Sequence, residues 1–367
     1  MRCAAIDIGT VTTRLLIAEV TDDRVREIAR RIEITHLGAG LGETGQLDDG
    51  GIERVAAACA QFRALMDSEQ VEAYRCVATS AAREADNTAE LAAKLARSGL
   101  RLEVISGEEE ARLSFAGATY GRSGQGLLVV DPGGGSTEFV LGDVATLPPR
   151  VSPAPPRACP PSSCASPPSS CAQSQDPARR GSIGFVPGDV ASAPPLSLRG
   201  ARGATRQSSI SFARSLQLGS QRMTDGFLSN DPPMRVELAY CRAVVHDLLA
   251  RRISELRGQV REMIAVAGTA TTMVTARDGI EPYDAARVQG ARVTSADLRV
   301  LMKRFCAVPT DERAQIPGLE PQRASVIIAG TLILQEILDY LGLEQFSVSD
   351  TDLLYGILLM VSAQAGV

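Results

Sequence analysis

The sequence predicts an α/β protein of two related domains, with a cleft between them and one foreign stretch interrupting the second. Three observations predict it. The 367 residues exceed the usual size of a single hydrophobic core. A strand–turn–strand segment occurs twice, since Asp7–Val20 aligns without gaps on Asp131–Val144. Composition then changes abruptly after Asp143, and 13 of the chain's 20 prolines crowd between Pro148 and Pro195.

The first hairpin opens with the apolar strand Cys3–Ile6, closes it with Asp7, turns on Gly9 and Thr10, and returns through a second apolar strand. The second copy runs from Leu127–Val130 through Asp131 and the turn Gly133-Gly-Gly-Ser136. Each reads as a β-hairpin with a tight small-residue turn. Glycines let backbone N–H groups approach an anion, and Thr or Ser hydroxyls add donors. An Asp at the end of the strand can hold hydrated Mg²⁺ against the same phosphates. One such turn is weak evidence; two across related domains make a cleft for phosphate.

Between the hairpins, Glu108, Glu109 and Glu110 follow Ser106-Gly107. Taken alone they are the acidic first turn of a capped helix. Arg83 beside Glu84, taken alone, is a surface ion-pair partner. A third small-residue turn, Ala267–Thr272, follows the apolar strand Met263–Val266. It suits either a plain structural turn or a helix N-terminus that presents N–H groups to an anion.

The stretch 145–208 holds seven arginines, two acidic residues and three cysteines, Cys159, Cys164 and Cys171. So many prolines exclude regular structure, and a disordered low-complexity insertion is expected. A solvated loop without a required role, a basic arm for polyanions and a cysteine metal site compete for it, as does a gene-frame artefact. The cysteine spacing matches no standard zinc pattern.

Composition excludes several functions. A formal net charge of −5 argues against a broad basic surface for nucleic acid. Lys94 and Lys303 are the only lysines among 38 basic residues, so fixed positive charge in a site is arginine. Asp7 interrupts the N-terminal apolar stretch, and Val326–Leu338 is shorter than a bilayer span and carries Gln335 and Glu336. Eight cysteines in so long a chain do not form a disulfide scaffold. His36 and His246, the only histidines, have no partner motif for a His triad or a zinc hydrolase. A soluble cytoplasmic protein without nucleic-acid or membrane partners is expected.

Four segments carry a family resemblance: Ile6-Asp-Ile-Gly-Thr10 with Arg14-Leu-Leu16, Ala78-Thr-Ser-Ala-Ala-Arg-Glu-Ala-Asp-Asn87, Val104-Ile-Ser-Gly-Glu-Glu-Glu-Ala-Arg-Leu113, and Val130-Asp-Pro-Gly-Gly-Gly-Ser-Thr-Glu138. Together they resemble the exopolyphosphatase and guanosine pentaphosphate phosphohydrolase (Ppx/GppA) phosphatase family, within the actin-like ATPase superfamily. Weaker similarity continues through Leu216–Gly219, Gly268–Thr272 and Ser347–Leu358, so nearly the whole chain outside the insertion is covered.

The resemblance implies two actin-like (ribonuclease H-like) domains around an interdomain cleft. The first spans 1–124; the second spans 125–340, interrupted by the insertion 145–208; a C-terminal segment, 341–367, packs back on the first. Ending near Val367, the chain lacks the extra helical domain of longer members and is expected to be a two-domain short form. The implied activity is release of terminal orthophosphate from inorganic polyphosphate. Guanosine pentaphosphate is the alternative substrate, and a non-catalytic polyphosphate- or alarmone-binding regulator is the further alternative. A sugar or acetate kinase of the same superfamily needs an adenosine pocket and an acceptor-activating Asp, for which no clear segment is found.

By the same resemblance Glu110 is the catalytic glutamate. Arg83 binds substrate phosphate with Thr10, Thr12, Gly134, Gly135, Ser136, Gly268 and Thr269. Asp131, Glu138 and Asp7 are the metal-side carboxylates, for Mg²⁺ with or without a monovalent cation. Three positions depart from the family pattern: Val11 for a polar residue, Pro132 for an apolar one, and Tyr355 where Arg is common. Homodimers are common in the family, and nothing in this sequence demonstrates one.

Overall fold

The two hairpins of the sequence each seed a sheet. In the computed structural model, which describes residues 1–21, 24–146 and 206–365, eleven strands are assigned. They are β1 (Arg2–Ile8), β2 (Thr12–Thr21), β3 (Arg24–Ile34), β4 (Ala73–Ala78), β5 (Leu102–Val104), β6 (Gly124–Pro132), β7 (Thr137–Thr146), β8 (Arg206–Leu216), β9 (Glu262–Ala265), β10 (Arg292–Thr294) and β11 (Gln345–Val348). The helices that matter below are α1 (Asp49–Ser68), α2 (Ser80–Glu84), α3 (Gly107–Ala118), α4 (Ser220–Phe227), α5 (Arg235–Arg252), α6 (Ala267–Asp278), α7 (Ile327–Leu341) and α8 (Leu353–Gln364).

The repeat extends beyond the hairpins to the topology. The first sheet has the order β3-β2-β1-β4-β5 and the second β10-β11-β9-β6-β7-β8. In each, the first hairpin strand pairs antiparallel with its return strand and parallel with a later one: β1 with β2 and β4, β6 with β7 and β9. Parallel neighbours require covered faces. Helix α1 supplies Ile52, Val55, Cys59 and Phe62 to one face of the first sheet, against Ile6, Ile8, Leu15 and Ile17. Helices α5, α6 and α7 cover the corresponding face of the second through Val245, Met273 and Leu334, among others.

The inner faces are covered crosswise. Helix α8 buries Leu354, Ile357 and Leu358 on Cys3, Ala5 and Leu16 of the first sheet. Helix α3 buries Ala111, Phe115 and Ala118 on Val129, Val140 and Ile264 of the second. The two helices meet at glycines. A Cβ on Gly117 would strike the Asp352 carbonyl oxygen, and one on Gly356 the Leu113 carbonyl oxygen. Among the described residues, no helix is long and apolar enough to cross a membrane.

The insertion is narrower at both ends than the boundaries 145–208. Strand β7 runs on to Thr146 and β8 begins at Arg206, with Ala145 paired to Gln207 and Thr146 to Arg206. A ladder already in register satisfies further backbone groups at little cost, whatever the local composition. Residues 147–205, on which the three insertion readings and Cys159, Cys164 and Cys171 fall, lie outside the described residues.

Two expectations follow. Gly117→Ala pushes the α3 backbone off Asp352 and should cost about 1–3 kcal/mol in urea unfolding; wild-type stability would contradict the crossing geometry. Replacing 147–205 by a two-residue turn should leave a folded protein with wild-type circular dichroism and melting temperature, because Thr146 and Arg206 already stand opposite each other.

Candidate active site

Both small-residue turns arrive at one cleft because the strands before them, β1 and β6, hold equivalent places in their sheets. In the first turn the Gly9 N–H donates to the Thr12 carbonyl (2.8 Å); in the second the Gly133 N–H donates to the Ser136 carbonyl (2.9 Å). The turns touch. A Cβ on Gly134 would strike the Val11 side chain, and one on Gly135 would lie 2.6 Å from Thr10 Oγ1 and 2.7 Å from Ser80 Oγ. Val11, read from sequence as a lost polar contact, is buried and packs the first turn against the second.

Helix α4 fixes which way the second turn faces. The Gly133 carbonyl accepts from Ser220 N (2.9 Å), that of Gly134 from Gln221 N (2.9 Å) and Arg222 N (3.1 Å), and that of Gly135 from Arg222 Nε (2.9 Å). The three backbone donors, at Ser220, Gln221 and Arg222, are first-turn N–H groups that a helix leaves unpaired. Among the described residues, the N–H groups of Gly134, Gly135 and Ser136 meet no backbone acceptor. They are left for the cleft. The third turn starts α6, where Ala267 takes φ 62°, a conformation rare for a residue with a Cβ. Thr269 Oγ1 donates to the Pro132 carbonyl (3.0 Å), so that hydroxyl braces the second turn.

The carboxylates crowd behind the turns. Ser106 caps α3 by accepting from Glu109 N, which sets Glu110 in the first turn, 6% exposed. Its Oε2 accepts from Arg83 Nη1 (2.6 Å), whose guanidinium also holds the Ile105 carbonyl (3.1 Å). Burial, and then the nearby Glu138, push the Glu110 carboxyl well above its ordinary range, with Arg83 opposing them. Asp131 accepts from Ser114 Oγ (2.9 Å), and burial together with Glu138 pushes it up to about 8. Glu138 Oε1 takes Ser136 Oγ (2.7 Å) and Ser215 Oγ (2.8 Å), and burial raises it as well. Asp7 Oδ2 takes Arg14 Nε (3.0 Å) and Nη2 (2.6 Å), while Arg14 Nη1 reaches Asp352, the N-cap of α8.

Eleven of the residues singled out from sequence line this one cleft: Asp7, Thr10, Thr12, Glu110, Asp131, Gly134, Gly135, Ser136, Glu138, Gly268 and Thr269. Arg83 stands behind Glu110, outside the lining. Tyr355 is also outside it, against Tyr120 at 5.8 Å between ring centres. A wider cavity of about 350 Å³ opens beside the cleft and shares Arg14, Ala267, Gly268 and Arg323 with it.

Mg²⁺ fits the donor set. Asp7 Oδ1 is buried without a hydrogen-bond partner, and Asp7 is raised by burial despite Arg14. Asp131 is buried in the same cleft, and burial and then Glu138 raise its proton affinity. Among the described residues, no three Asp, Glu, His or Cys side chains converge into a ready cage. Mg²⁺ asks for less, commonly one or two carboxylates with waters and substrate phosphates. Asp7 and Asp131 suit that role, whereas Glu138 is already turned to two serine hydroxyls.

Sequence reading missed several of these partners. Ser114 lies one turn after Glu110 on the same helix face, a spacing that could have exposed it. Ser215 could not have been found, because its place opposite Glu138 comes from pairing across the insertion. Arg222, Asp352 and Arg323 carry no local signal either.

The family profile described as the Ppx/GppA phosphatase family matches residues 16–152 and 203–363. Exopolyphosphatase 2 of Mycobacterium tuberculosis is 30% identical, covering 98% of both chains. The solved Ppx/GppA enzyme of Aquifex aeolicus is 28% identical with a TM-score of 0.69, over 98% of this chain and 99% of that one. A solved exopolyphosphatase-like protein is 29% identical with a TM-score of 0.76, over 98% and 97%.

Gly135→Ala should close the space between Thr10 and Ser80. We expect pyrophosphate binding, measured by calorimetry, to weaken about ten- to hundred-fold, in a protein that still folds but loses about 1–3 kcal/mol of stability. Unaltered binding would show that the second turn does not hold phosphate.

Proposed function

Because this chain belongs to the Ppx/GppA phosphatase family and is a hydrolase of phosphoanhydride bonds, we propose that it removes terminal orthophosphate from inorganic polyphosphate in the cytoplasm. The observation that carries the reading is the meeting of two glycine turns and a buried glutamate at one cleft, with Arg83 bonded to that glutamate from behind. The similarity to exopolyphosphatase 2 along nearly its whole length supports the substrate.

In this reading the terminal phosphoryl group lies between the Gly134–Ser136 amides and the first turn at Thr10 and Thr12. The amides donate to its oxygens, and the Arg83 guanidinium neutralises charge from the side. Glu110 faces the same group and orients a water for in-line attack. As the water oxygen bonds to phosphorus, its proton passes to the Glu110 carboxylate. The bond to the bridging oxygen breaks, and the shortened chain leaves with that electron pair. The raised proton affinity of Glu110 suits a base, and the Arg83 guanidinium bonded to Oε2 favours its carboxylate form against burial and Glu138. Asp7 and Asp131 would hold Mg²⁺, which when bound supplies positive charge against the anhydride oxygens.

A second reading, guanosine pentaphosphate as substrate, draws on the adjoining cavity. About 350 Å³ lined by Thr271, Thr272, Ile280 and Tyr283 gives room for a nucleoside next to the phosphate turns.

Purified protein with Mg²⁺ should release orthophosphate from polyphosphate, and chelation with EDTA should stop it. Glu110→Gln should lower kcat roughly 10²- to 10⁴-fold with substrate binding largely kept. Release from guanosine pentaphosphate alone would select the second reading. Wild-type turnover in the Gln variant would remove Glu110 from the chemistry.

A further inference from the structure

The two halves of the cleft are tied together at a point that the chemistry above does not use. Arg222, the third residue of α4, donates Nε to the Gly135 carbonyl (2.9 Å) and Nη2 to Glu84 Oε2 (2.5 Å). Glu84 directly follows Arg83 on α2, and its other oxygen accepts from Ser80 Oγ (2.7 Å). One acceptor therefore belongs to the glycine turn of the second sheet and the other to the short helix after β4 of the first. A guanidinium is planar and its donors form a rigid fork, so its two acceptors are held at a set separation. A lysine ammonium carries no such fork.

We propose that Arg222 is a positioning residue for phosphoanhydride hydrolysis. With Glu84 it forms a strap that sets the spacing between Arg83 and the Gly134–Ser136 amides. The proposal rests on the reading that these two groups hold the same phosphoryl group. The bond to Gly135 turns the adjoining peptide so that its carbonyl faces α4 and its N–H the cleft. The bond to Glu84 places the neighbouring Arg83 relative to that peptide. An ion pair whose side chains are 28% exposed on both partners contributes little to stability. Misplacing a reacting group by about 1 Å can still cost on the order of 10²-fold in rate. The strap's effect therefore falls on turnover rather than on folding.

Steady-state kinetics on the full chain, paired with amide hydrogen exchange, test this. Arg222→Ala should lower kcat about 10- to 100-fold, with KM within a few-fold and the melting temperature nearly unchanged. Arg222→Lys should restore little of the loss, and Glu84→Gln, which keeps a hydrogen bond, should lose less than Arg222→Ala. The double variant Arg222→Ala/Glu84→Ala should be no slower than Arg222→Ala alone. Amide exchange should quicken at 80–85 and 133–136 together and stay unchanged elsewhere. Wild-type kcat in Arg222→Ala, full recovery with lysine, multiplying losses in the double variant, or exchange rising throughout the chain would each overturn the strap. If the wild type releases no orthophosphate from any substrate, the hydrolase reading fails. The exchange pattern then decides the strap alone.

Discussion

Three consecutive carbonyls, those of Gly133, Gly134 and Gly135, are bound from behind by Ser220, Gln221 and Arg222. A peptide plane has its carbonyl and N–H on opposite edges, so fixing one edge fixes the other. The helix start satisfies its own unpaired donors by turning the glycine loop's donors toward the cleft. Much of the site depends on that exchange. The first turn can approach only because Gly134 and Gly135 have no side chain where Val11, Thr10 and Ser80 stand. Thr269 closes the arrangement from the third turn by holding the Pro132 carbonyl.

Electrostatics sets the second constraint. Asp7, Glu110, Asp131 and Glu138 are all buried around one cleft, and burial is the leading cause that raises each. Arg83 serves Glu110, and Arg14 is shared between Asp7 and Asp352. Buried charges left without partners are costly, and clustered carboxylates repel one another. A site of this kind gains from a cation and from a polyanionic substrate that brings one. Arg14 does structural work as well, since its second carboxylate, Asp352, caps the helix that covers the first sheet. The base of the cleft and the packing of α8 are therefore coupled through one guanidinium.

Much of this was legible in the sequence because it is local. Strand, Asp, small-residue turn and return strand are adjacent along the chain, and the pattern appears twice. The capping serine that starts α3 is likewise written beside Glu110. The extent of the β7–β8 ladder was less legible, for a physical reason. Composition changes after Asp143, but pairing continues to Thr146 opposite Arg206. The crosswise cover of the sheets was not legible either, since α3 and α8 meet at Gly117 and Gly356, glycines that look like any others in the sequence.

Family resemblance pointed to Glu110 and Arg83, whereas the sequence by itself determined the two hairpins and their small-residue turns. Those features depend on backbone conformations that a few neighbouring residues dictate. Only the tertiary structure decided which groups face one another. Arg83 reached Glu110, Ser215 reached Glu138, Asp352 reached Arg14, and Arg222 reached both Gly135 and Glu84. Each pairing joins segments far apart in the chain. It is fixed by sheet register and helix packing, which no short stretch of sequence contains.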